Sequence, residues 1–71
     1  MKSAMAIAPD ITDFDSVELT VAVDDAPAGA RGGVLEMRPD GFAMVEVLEP
    51  HLDAAARIVF VSASGLRQIP A

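Results

Sequence analysis

Few groups in this chain could do chemistry. His51 is the single histidine, and it stands between Glu49 and Asp53, two positions from each. Three such side chains on one loop offer nitrogen and oxygen donors to a metal ion, the minimum for a small metal-dependent enzyme. No second ligand cluster accompanies them, and carboxylates around a lone histidine are also ordinary content for a solvated loop. The chain has no cysteine and no tyrosine, so thiolate ligands, disulfides and two common nucleophiles are absent. Ser62 and Ser64 have no base near them in sequence. Gly29-x-x-Gly32-Gly33 lacks the lysine of a phosphate loop and leads into a strand rather than a helix, so its glycines serve backbone geometry. The expectation is a chain that is not an enzyme, with no catalytic residue, no metal and no cofactor.

The remaining chemistry is acidic. Asp10, Asp13 and Asp15 form one group and Asp24-Asp25 another. A calcium loop would need an Asp-x-Asp-x-Asp-Gly run with a closing glutamate, and Asp13-Phe14-Asp15 has neither the glycine nor the glutamate. Two readings stay open for these carboxylates: an anionic face that docks a basic partner, or solvated charge.

The whole chain has the same bias. Its 71 residues carry a formal charge of -6, with Asp+Glu 11 against Lys+Arg 5. That field repels phosphates, and the five cations (Lys2, Arg31, Arg38, Arg57 and Arg67) form no run, so no nucleic-acid partner is expected. Three Phe and no Trp or Tyr leave few stacking platforms for bases. No apolar run reaches the ~20 residues of a membrane span, so no membrane partner is expected either. The stretch from Met1 to Ala8 is too short for a signal-peptide core and reads as a loose leader or an added strand. A cytoplasmic location is the simplest expectation.

Length limits the elements that must position these groups. A chain this small buries only about 60% of the surface its unfolded form exposes. Hydrophobic residues make up 52% of it, but 13 of them are alanine. Residues 1–15 are ambiguous, either a strand lead-in that gives Phe14 to the core or an acidic arm that orders on a partner. From Ser16, Val17, Leu19, Val21 and Val23 alternate with Glu18, Thr20 and Ala22, the period of a half-buried strand. Asp24 to Gly33 then reads as a long loop. Val34–Met37 and Phe42–Leu48 read as strands two and three, joined through the Arg38-Pro39-Asp40-Gly41 turn. Glu49–Ala56 is a second loop whose helical portion is too short to hold alone. Arg57–Ala63 is a fourth strand, Ser64-Gly65-Leu66 a tight 3-10 turn, and Arg67–Ile69 a short last strand. Together these describe an all-β protein: a small SH3-like barrel of about five strands over residues 16–71, with a short 3-10 turn before the last strand. An open meander with the N-terminal segment as an extra strand is the alternative.

Val17-x-Leu19, Gly29-x-x-Gly32-Gly33-Val34-Leu35-Glu36, Asp40-Gly41-x-Ala43-x-Val45-Glu46-Val47 and Leu66-Arg67 resemble the small bacterial proteins catalogued as domain of unknown function 4926. The likeness runs over residues 15–70. It implies a compact SH3-like barrel with no recognised active site, in an accessory or partner protein that stands beside a toxin-like neighbour. The chain departs from that pattern at Glu49–Ala56, where the family has a polar, glycine-containing turn.

Strands three and four are apolar on both faces. Ile58 and Phe60 fall on one side of strand four, Val59 and Val61 on the other; Met44 and Leu48 oppose Val45 and Val47 on strand three. A lone barrel leaves one face wet, so the second face needs a cover: the N-terminal segment, a second copy of the chain, or another protein. The expected function is a protein-interaction module, antitoxin-like or inhibitory, that docks a basic protein surface. Its expected contact residues are Asp13, Asp15, Asp24, Asp25, Val45, Val47, Val59 and Val61. The alternative is a structural, homo-oligomeric barrel subunit of a larger assembly, a homodimer at its simplest.

Overall fold

A computed structural model describes residues 11–70, and the leader expected at Met1–Ala8 and the carboxylate of Asp10 lie outside them. Among the described residues the chain is all-β, with no α-helix. Its strands are β1 (Ser16–Leu19), β2 (Arg31–Met37), β3 (Phe42–Val47), β4 (Ile58–Ser62) and β5 (Leu66–Gln68), and a 3-10 turn at Ala63–Gly65 precedes β5. All pairings are antiparallel, in one sheet of order β4-β3-β2-β1-β5.

The two edge strands of this sheet follow one another in the chain. Only Ala63–Gly65 separates β4 from β5, a link that spans at most about 14 Å even when extended. Five strands laid flat would set their edges about 19 Å apart. The sheet therefore rolls, and its inner face closes around Val17, Leu19, Val34, Ala43, Val45, Val47, Val59, Val61 and Leu66, all buried. Ala26, Ala30, Ile11 and Leu52 cap this core from the loops.

The interior is narrow. Gly32 pairs with Val47, and a Cβ there would press on the Glu46 carbonyl oxygen and lie 2.9 Å from the Val47 Cα. β2 thus begins three residues earlier than its hydrophobic run suggests, because Gly32 lets two backbones meet where any side chain would hold them apart. β1 is shorter than its alternation predicts. After Leu19 the chain turns away, and Val23 and Ala26 bond each other across the Asp24-Asp25 tip at 2.9 Å in both directions. Val21 is exposed as a result.

The β2–β3 hairpin closes as the turn residues demand. Gly41 donates to the Arg38 carbonyl at 3.1 Å, and Gly41 holds φ 88°, a left-handed value that glycine adopts freely. The register of this pair slips at Leu35: Val34 faces Val45, whereas Glu36 already faces Met44. This bulge puts Leu35 and Glu36 on the outside together and returns Met37 to the core side.

Phe14 does not join the core. It is 85% exposed at φ 69°, and Ile11 supplies the buried side chain of that segment instead. The Phe14 N–H donates to Val34 O at 2.7 Å and the Val34 N–H to Asp15 O at 2.9 Å, so two residues oppose one. Val45, Val47, Val59 and Val61, expected on a partner face, are all core: each is at most 2% exposed. The rolled interior is only wide enough for Val, Ala and Leu, and the larger side chains of β3 and β4 are displaced outward.

Candidate functional site

The outer face of β2–β4 carries the side chains that the core excludes. Phe42 and Phe60 are 44% and 49% exposed, and Leu35 at the bulge is 38% exposed. Register brings them together. Met44 lies opposite Phe60, Phe42 opposite Ser62, and Glu46 opposite Ile58. Cross-strand neighbours on one face stand about 5 Å apart and diagonal ones about 7–8 Å, so Phe42, Met44, Ile58 and Phe60 form one apolar patch. Glu36, opposite Met44, and Glu46 border it with carboxylates.

The turn end of this patch is polar. The Arg38 guanidinium lies over the Phe60 ring, 5.4 Å from its centroid, and its Nε stands 3.4 Å from the Asp40 carboxylate. Asp40 also accepts the Phe42 N–H at 3.0 Å, which holds the first aromatic of the patch against the turn. These four residues line an open hollow of about 270 Å³. Glu46, Val47, Leu48, Glu49, Pro50 and Arg57 line a second hollow of similar size. Arg57 closes the second one by donating to the carbonyls of Glu49 and Pro50, both at 3.3 Å.

The expected acidic residues divide. Asp13 accepts the Met37 N–H at 2.7 Å. Asp15 accepts the Thr12 N–H at 2.9 Å and the Gln68 side-chain amide at 3.0 Å. Both tie the N-terminal segment onto β2 and β5. Asp24 and Asp25 sit exposed at the tip of the β1–β2 loop, with Asp24 at φ 51°, a left-handed value that aspartate tolerates better than most residues. Of the eight residues singled out from sequence, the four valines are buried in the core, Asp13 and Asp15 are engaged at the surface, and Asp24 and Asp25 stand at an exposed tip.

His51 stands at an exposed loop tip with Nδ1 3.4 Å from Glu49, while Asp53 Oδ1 accepts the Ala56 N–H at 2.9 Å. Among the described residues no three His, Cys, Asp or Glu side chains gather as metal ligands. Ser62 and Ser64 share a hydroxyl contact at 3.0 Å. No helix among the described residues is long and apolar enough to cross a membrane.

The patch residues are within reach of the sequence pattern, since alternation alone puts Ile58 and Phe60 on one face of β4. What the pattern lacked was the sign of the face. Volume carries that signal: a rolled sheet of this size seats valine, not phenylalanine, inside. The bulge that exposes Leu35 has no signature in Val34-Leu35-Glu36. Comparison with family models, with curated proteins and with solved structures finds no match for this chain.

Proposed function

We propose that this chain is a non-enzymatic protein-interaction module that offers the outer face of β2–β4 to another protein. One observation carries the reading: Phe42 and Phe60 are exposed on one sheet face with Met44 and Ile58, and the bulge exposes Leu35 on the same side. A sheet face turned to water is normally polar, and aromatic residues with an arginine beside them are the usual anchors of a protein interface. The strand order and the 3-10 turn before β5 support reading the fold as an SH3-like barrel. The surplus of acid, with Asp24-Asp25 at a loop tip and Glu36 and Glu46 beside the patch, favours a partner with a basic surface. Covering such a surface is what a small antitoxin-like or inhibitory protein does, and a cytoplasmic setting suits it.

The test is capture of the partner by the tagged full chain. Phe42→Ser/Phe60→Ser should cut recovery by about tenfold or more, the effect of losing two interface anchors, while the melting temperature stays near that of the parent. Val45→Ala, a core change, should instead lower stability by about 2 kcal/mol. Full recovery of the partner by the folded double serine variant would sink the proposal.

A further inference from the structure

β4 is an open edge. The Val47 N–H donates to Arg57 O at 2.8 Å and the Ala63 N–H to Gly41 O at 3.0 Å, and the pairing between them is unbroken. Antiparallel ladders bond every second pair, so Val59 and Val61 turn their backbone groups toward β3. Ile58, Phe60 and Ser62 therefore aim theirs away from β3, where no strand among the described residues pairs with them. Among the described residues, the Ile58 N–H alone of these groups has a backbone partner, Ala55 O at 3.4 Å.

Natural edges are guarded by charge, proline, bulges or shortness. β5 has three residues, a charged Arg67 that meets Glu18, and Pro70 just beyond. β4 has five residues, Ile58-Val59-Phe60-Val61-Ser62, with no charge, no proline and no register slip.

We infer that this edge pairs with the same edge of a second copy, about a two-fold axis through Phe60. The strand reads nearly alike in both directions from that residue, with Val59 and Val61 next to it and Ile58 and Ser62 beyond. Two copies then meet without a like charge at the seam. In this register each Phe60 exchanges N–H and C=O with the second copy's Phe60, and each Ser62 N–H donates to the second copy's Ile58 carbonyl. Residues opposite one another in an antiparallel pair share a face, so the two Phe60 rings meet and the two apolar patches become one. The inference rests on the free edge, not on the patch as a docking site.

Ser62→Pro isolates it. Ser62 has φ -57°, within the range of proline, follows an extended residue, and points its N–H at the free edge. The substitution removes an edge donor without disturbing the β3–β4 ladder. Sedimentation velocity on the full chain should show a dimer, and Ser62→Pro should raise its dissociation constant by about tenfold or more while the circular dichroism is unchanged. Phe60→Lys, which sets two cations at the seam, is the second variant should the proline variant misfold. Raised salt should tighten this dimer, because each copy carries -6, whereas it should weaken binding to a basic partner. A monomer at every concentration overturns the inference. So does a dimer indifferent to both variants, or one that forms only after residues 1–10 are removed, which would assign the edge to the chain's own leader.

Discussion

Phe14 is the residue whose conformation fits its type least. A φ of 69° is a place for glycine, since a Cβ there crowds the backbone at a cost of roughly 1–2 kcal/mol. Burial does not offset this, because the ring is 85% exposed. The conformation is imposed by the two bonds with Val34, which need one residue of the bulge to turn left-handed. Phe14→Gly should therefore stabilise the fold by about 0.5–1 kcal/mol, less than the strain itself because glycine loses more freedom on folding. A thermal melt checks this, and a lower melting temperature would mean that the ring makes contacts that matter.

Short polar devices help to fix where the elements sit. Residues 13–15 continue β1's side of the sheet past Ser16, against Val34–Met37, and the Asp13 carboxylate holds the far end by taking the Met37 N–H. Asp13→Ala should leave that amide without its partner, costing about 1 kcal/mol locally. Hydrogen exchange at Met37 should accelerate while exchange at Val45 and Val59 stays slow, and an unchanged Met37 rate would show that the clamp is idle. The Leu35 bulge is the second device. By holding two successive residues outside, it returns Met37 to the core and adds Leu35 to the patch.

At the scale of the molecule, charge and shape act on different steps of association. On the proposed function, the field of a chain at -6 would steer encounter with a basic partner, and the apolar patch would set how long the complex lasts. Asp24→Lys/Asp25→Lys changes the charge at the exposed β1–β2 tip and leaves the core alone. It should slow association with a basic partner by about tenfold at low salt, with little change in the dissociation rate. Stopped-flow measurement at two ionic strengths separates the two rates, and an unaltered association rate would confine recognition to the patch. The small core also accounts for the outward aromatics: a rolled five-stranded sheet has interior volume for valines and a few leucines.

Strand number, the Pro39-Asp40-Gly41 turn, the 3-10 turn and the excess of acid were all legible in the sequence by itself. Each follows from local rules: alternation with period two, residues that tolerate special φ values, and charges that simply add. Which apolar face of β3 and β4 would be covered was not legible, and the four valines expected outside are inside. That choice belongs to the rolled sheet, because only closure sets the width of the interior and so sorts valine from phenylalanine. The roles of Asp13 and Asp15, the exposure of Phe14 and Leu35, and the free edge of β4 likewise depend on which strand lies beside which. Tertiary structure decided them because backbone pairing joins residues far apart in the chain, where no local rule reaches.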